Sequence, residues 1–135
     1  MLRDLIIITI LYCFAGCKQA ESYADKYGKL TSVSGVYIHI NELNTDTALS
    51  GHNFPIKYRD SIPGLVRMLN TATIDGPWKG KGWDQITIYT TGDSVIVLNT
   101  NGKVFGGSAS GDGAGFYKIG STDFYKNYFG INVKD

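Results

Sequence analysis

The apolar positions of this chain follow three different rhythms. From Leu5 to Phe14 they are nearly continuous, with Arg3 and Asp4 before them and Lys18–Gln19 behind. At Gly35–Ile40 the rhythm changes to period two. Val36, Ile38 and Ile40 alternate with Tyr37 and His39, the pattern of a strand with one buried face. The helical period follows: Ile62, Leu65, Val66 and Leu69 fall at i, i+3, i+4 and i+7 and predict a helix over 61–70 with one apolar stripe. Arg67 faces outward on that helix and Met68 borders the stripe. Asp60 or Ser61 is placed to accept a backbone N–H at its start, and Pro63 sits in the first turn, where a missing donor costs little. Asn70 marks its end.

Period two then returns. Trp83–Thr90 and Ser94–Thr100 are β-branched and aromatic, joined by Thr91–Gly92–Asp93. Val95–Leu98 is apolar on both faces, as a central strand is. Asn101–Gly102 pairs two residues that tolerate positive φ and predicts a tight hairpin into a strand at Lys103–Phe105. Phe116–Ile119 predicts one strand more. The stretch 41–55, rich in Asn, Asp, Thr and Gly, reads as a loop or a weak edge strand around 47–49. Ser121 or Thr122 is placed to cap a short helix over about 122–129, with Phe124 against Tyr128, Tyr125 against Phe129, and Gly130 as its stop. A helix as short as 61–70 needs a surface to pack on. Sequential, hairpin-linked strands supply one, so the fold class is α+β: an antiparallel β-meander with helix 61–70 on one face and a short C-terminal helix.

The first apolar run is well short of the ~20 residues that span a bilayer. A charged start, a short apolar core, small residues and a polar break make a secretory signal peptide. Phe14–Ala15–Gly16–Cys17 resembles the lipobox of bacterial lipoproteins, with Phe14 where leucine is usual. The resemblance implies cleavage before Cys17 and a lipid on that cysteine. The expected division is then a signal peptide over 1–16, a lipidated N-terminus and polar tether over 17–33, and one domain over 34–135. Within the tether, Tyr23 and Tyr27 are spaced for a single helical turn. Acyl chains hold a protein at a membrane at about 0.8 kcal/mol per buried CH₂. Lys18 stands where some bacteria place an inner-membrane retention Asp, so the expected location is the cell envelope at the outer membrane, facing periplasm or surface.

The resemblance implies that Cys13 leaves with the leader and Cys17 takes the lipid, so the expected mature domain has neither thiol nor disulfide and must be held by packing. Without Arg3 and Asp4, the 13 basic and 12 acidic residues become twelve and eleven. A net charge of about +1 with no run of five like charges gives no reason to expect a clustered basic face, so no nucleic acid partner is expected. Seventeen glycines with only three prolines describe a turn-rich globular chain.

Catalytic chemistry finds little footing. His39 and His52 are the only histidines, and no His, Cys or carboxylate stands at metal-ligand spacing. Gly107–Ser108–Ala109–Ser110–Gly111 has alanine where a nucleophile elbow needs serine. The glycine cluster over 106–115 lacks the Lys-Ser/Thr ending of a phosphate loop, and Asp112 is its only acid, too few for calcium. Asp75, Asp84, Asp93, Asp112 and Asp123 read as turn and cap residues. The expectation is a protein without cofactor, metal or enzymatic activity.

One constellation points to recognition. Gly76–Pro77–Trp78–Lys79–Gly80–Lys81–Gly82–Trp83 sets two tryptophans and two lysines in a glycine-punctuated stretch. Exposed tryptophan is typical of binding hot spots, and Lys79 and Lys81 would meet acidic groups of a partner. The competing role is packing, with Trp83 entering the core and Trp78 covering a helix end. Trp78, Lys79, Lys81 and Trp83, with Ser108 and Asp112 of the second glycine-rich stretch, are the candidate binding residues. The expected function is that of an immunity or inhibitor-type lipoprotein docking on a protein such as a toxin or hydrolase. The alternative is a glycan binder whose tryptophans and surface tyrosines stack on sugar rings.

Overall fold

In the computed structural model the described residues are 21–41, 48–76, 83–106 and 115–133. Cys17 and the whole leader lie outside them. The elements in chain order are helix α1 (Tyr23–Tyr27), strands β1 (Val33–His39) and β2 (Asn53–Pro55), helix α2 (Ile62–Thr71), strands β3 (Asp84–Thr90), β4 (Val95–Thr100), β5 (Val104–Gly106) and β6 (Tyr117–Lys118), and a π-helical turn at Tyr125–Phe129. The fold is α+β. Six antiparallel strands form one sheet in the order β2-β1-β3-β4-β5-β6.

The strands β3 to β6 form the expected meander. The other end is not sequential. β2 and β3 flank β1 and pair with it at Tyr37↔Pro55 and Tyr37↔Thr87, so the chain leaves β2, crosses over β1 through α2 and returns as β3. The edge strand lies at Asn53–Pro55 and not around 47–49, because Phe54 pairs with Ile38 and packs on the core. Pro55 removes a donor from this outer strand, a common guard on sheet edges.

The alternation of β1 holds. Val36, Ile38 and Ile40 are buried, as are Ile86, Ile88 and Leu98 across the sheet, and Ile62, Leu65 and Leu69 of α2 pack on that face. A fully buried Leu or Ile side chain contributes roughly 1.5–3 kcal/mol. Neither Asp60 nor Ser61 caps α2 with its side chain. A 3₁₀ turn at Arg59–Ser61 leads straight in, with Pro63 in the first turn. Asn70 does not end the helix. It is buried in the last turn, where its Oδ1 accepts the Leu30 N–H at 2.8 Å and its Nδ2 donates to the Leu30 carbonyl at 3.1 Å.

That clamp corrects the reading of residues 18–33 as tether. From Ser22 onward the segment is folded. Ser22 and Asp25 form a capping box on α1, whose hydrogen bonds hold the Asp25 carboxyl below the usual carboxylate range. Tyr23 and Leu30 enter the core, and the Tyr23 ring meets Phe105 at 5.3 Å and Tyr117 at 5.4 Å. Ser22 bridges Thr73, and the 73–76 stretch in turn lines β6 through Lys118 N–H to Thr73 O and Asp75 N–H to Phe116 O. The β6 edge is thereby closed.

Two turns differ from expectation in mechanism. Only Gly102 takes positive φ, at 86°. Asn101 acts through its side chain, whose Oδ1 accepts the N–H groups of Lys103 and Val104. At the C-terminal end neither Ser121 nor Thr122 caps, and the turn has π geometry. Phe124 therefore meets Tyr128 at 5.4 Å and also Phe129, five residues on, at 5.7 Å, where Tyr125 and Phe129 were the expected pair. Gly130, with φ 67°, stops it as expected.

Candidate functional site

The pairing register sorts every strand residue onto one of two faces. On β3, Asp84, Ile86 and Ile88 point into the core, which leaves Trp83, Gln85, Thr87 and Tyr89 on the opposite side. Trp83 thus precedes the strand without entering the core. It is half-buried and stacks on Phe116, with ring centroids 4.7 Å apart and planes at 13°. Phe116 lies over Gly106, where a Cβ would come within 2.7 Å of its ring, so β5 needs glycine there.

This stack is where the ends of the two sequence-nominated stretches meet. Gly76 and Trp83 bracket the segment 77–82, and Gly106 and Gly115 bracket 107–114. The Gly76 carbonyl accepts the Phe116 N–H at 3.1 Å, Trp83 stacks on the Phe116 ring, and Gly106 lies beneath it. A Cβ on Gly115 would sit 3.2 Å from Ile74, beside Gly76. All four ends therefore gather around Phe116, although the stretches are far apart in sequence. Trp78, Lys79, Lys81, Ser108 and Asp112 themselves lie outside the described residues.

The sheet face bearing Trp83 continues across the molecule, and no described element covers it. Three cross-strand rows run over it: Gly35–Tyr89–Val95, Pro55–Tyr37–Thr87–Val97 and Asn53–His39–Gln85–Asn99. None of these positions is Asp, Glu, Lys or Arg. Tyr37 and Tyr89 are 41% and 43% exposed and meet edge to face at 5.6 Å. Beside them is a shallow depression of about 590 Å³ lined by Ser34, Gly35, Tyr37, Asn53, Thr87 and Tyr89. His39 Nδ1 and Asn53 Oδ1 are 2.8 Å apart, so the imidazole donates to the amide oxygen. Val95, expected inside a central strand, is exposed here because β4 is covered on one side only.

The other titratable groups are either tied up or scattered. Asp84, grouped by sequence with the turn carboxylates, is buried. Its Oδ1 accepts the Asn41 N–H at 2.8 Å and its Oδ2 the Tyr125 hydroxyl. Burial and the neighbouring carboxylate push the Tyr125 phenol far above its ordinary value. His52 is exposed beside Phe54. Among the described residues no three of His, Cys, Asp and Glu gather as a metal site would require. A second groove of about 860 Å³ runs between the Asn101–Lys103 turn and the π-helical turn, bordered by Lys103, Lys118 and Lys126 but also by Asp75 and Asp123.

Comparison of the chain with protein-family models, with curated proteins and with solved structures finds no match. Among the described residues no helix is long and apolar enough to cross a membrane.

Proposed function

We propose that this chain is a non-enzymatic recognition module, held at the cell envelope by a lipid on Cys17, that docks on a protein partner in the manner of an immunity or inhibitor protein. The observation that carries the proposal is the gathering, at one place, of the residues that bound both nominated stretches. Gly76, Trp83, Gly106 and Gly115, the residues that flank segments 77–82 and 107–114, converge on Phe116. Trp78 would supply apolar contact there, with Lys79, Lys81, Ser108 and Asp112 as polar partners. An aromatic centre with a polar rim is the composition of an energetic hot spot. A toxin or a hydrolase reaching the envelope is the class of partner in view.

The test joins anchor and docking. Replacing Cys17 with Ala releases the protein from the membrane fraction. A photo-crosslinking side chain at position 79, activated in intact envelopes, yields one discrete protein adduct, and the same crosslinker-bearing chain with Trp78→Ala and Lys81→Ala added yields none while keeping its thermal midpoint. A variant that still crosslinks, or a Cys17→Ala protein that stays membrane-bound, removes the corresponding half of the proposal.

A further inference from the structure

We infer that the depression between Tyr37 and Tyr89 on the uncovered sheet face is a binding site for a neutral saccharide. The residues lining it are none of those nominated for protein docking, so this inference and the proposed protein docking fail independently.

Gly35 carries the argument. Glycine in a strand interior weakens it and often marks the close approach of a ligand. At this position the fold makes no demand for it. Gly35 is absent from the residues with positive φ. A Cβ built there would sit 3.6 Å from the Tyr37 ring and 4.0 Å from Tyr89, ordinary contact distances. What the missing side chain does is leave the floor open beside the two rings. Ser34 is the additional residue of a β-bulge between Val33 and Gly35, and its hydroxyl donates to the Tyr89 carbonyl at 3.2 Å. Bulges are over-represented beside binding sites, where they redirect a strand.

The chemistry around that floor selects the ligand. A sugar ring has an apolar C–H face and a rim of hydroxyls, and it carries no charge. Tyr37 and Tyr89 offer ring surface, and Thr87 and Asn53 offer groups that both donate and accept. The Asn53 amide is not free to turn at random. His39 donates to its oxygen at 2.8 Å, which leaves the NH₂ end to donate to a ligand hydroxyl. Among the described residues no ionic side chain lines the depression, so it offers no charge to pair with a phosphate or a carboxylate. Its size favours a small ligand over a protein surface. About 590 Å³ falls within the 300–1,000 Å³ of small-molecule sites, whereas a stable protein interface needs roughly 800 Å² on each partner.

The probes are the neutral hexasaccharides of chitin, cellulose and amylose, with hexagalacturonate as the charged comparison. Each is titrated to about 10 mM into the full chain held in a detergent without sugar headgroups, and read by amide chemical shifts. At least one neutral oligosaccharide is expected to saturate, moving the Gly35, Tyr37 and Tyr89 signals, with hexagalacturonate inert. Gly35→Ala fills the floor. It should keep or raise the thermal midpoint while weakening binding at least about tenfold, and Tyr37→Ala, which alters an exposed ring, should weaken it similarly. Tyr58→Ala removes a tyrosine that is 58% exposed but outside the depression, and should leave binding unchanged. The inference is overturned if no neutral oligosaccharide saturates, if Gly35→Ala and Tyr37→Ala bind as the parent does, or if only the charged probe binds.

Discussion

The Tyr125 hydroxyl donates to Oδ2 of Asp84 at 2.5 Å, across forty-one positions of sequence, and both side chains are buried. With the Asn41 N–H on Oδ1, this carboxylate joins the end of β1, the start of β3 and the π-helical turn. A buried carboxylate acceptor that loses a donor is left exposed to its full desolvation cost. Tyr125→Phe should therefore lower unfolding free energy by about 1–3 kcal/mol in urea titrations, with strands β1 and β3 still formed. Asp84→Asn should cost less than Asp84→Ala, since an amide keeps an acceptor for Asn41.

Tyr117 gives the opposite expectation. It is fully buried, and its hydroxyl has no hydrogen-bond partner among the described residues. Removing an unsatisfied polar atom without changing shape relieves a penalty, so Tyr117→Phe should raise stability by up to about 1 kcal/mol. A loss as large as that of Tyr125→Phe would reveal a partner for the Tyr117 hydroxyl and overturn this account.

Burial raises the phenols of Tyr125, Tyr23 and Tyr117 above their ordinary value, with Asp84 adding to the shift at Tyr125 and the neighbouring Tyr27 contributing at the other two. The folded chain holds these groups protonated more tightly than the unfolded chain does. Their stabilisation is thus complete below the ordinary phenol value of about 10 and is lost as pH rises above it toward the folded values. Denaturation midpoints should be flat with respect to these groups up to about pH 9.5 and fall beyond it, less steeply in Tyr125→Phe. Spectrophotometric titration should show a late-ionising set of phenols that loses one member in Tyr125→Phe.

Asn70 replaces a missing backbone partner for Leu30 on both its N–H and its C=O. Asn70→Ala orphans both groups and should cost about 2 kcal/mol or more. Amide exchange at Leu30 should accelerate selectively if the segment detaches before the sheet does. Asn70→Asp keeps the acceptor but loses the donor and buries a charge, so it should be the worse variant near neutral pH and recover partly in acid.

Gly106 tests the stack at the roots of the nominated segments. Gly106→Ala drives a methyl into the Phe116 ring and should cost about 1–3 kcal/mol by overpacking. In a Trp78→Phe background, where Trp83 is the remaining tryptophan, its emission should shift as Phe116 is displaced. An unchanged spectrum would show that the ring contact survives.

The legible parts of this fold were those governed by local period. Val36, Ile38 and Ile40 declared their face, and Ile62, Leu65 and Leu69 declared theirs, because each pattern repeats within a few residues. The 18–33 stretch misled because Tyr23 and Leu30 are two anchors in a polar run, too few to make a period, and their partners Ala72, Asn70 and Tyr117 are remote in sequence. Asp84 looked like a turn residue for the same reason, since its burial is fixed by Asn41 and Tyr125. Tyr37 could be assigned outward from sequence, but its neighbours could not. Placing Tyr89, Thr87 and Asn53 beside it required knowing that β1 lies between β2 and β3. Trp83 was nominated for its residue type, and its partner Phe116 appears only once β5 and β6 are paired.

The way the chain enters the domain has a mechanical consequence. Ser22 and Tyr23 are stitched to Thr73 and Ala72 at the rim, by a bridge and one backbone hydrogen bond. A pull from the leading side would reach that seam first, opening its bonds one after another like a peeled tape. The long β1–β3 and β3–β4 ladders would bear load only after α1 had come away.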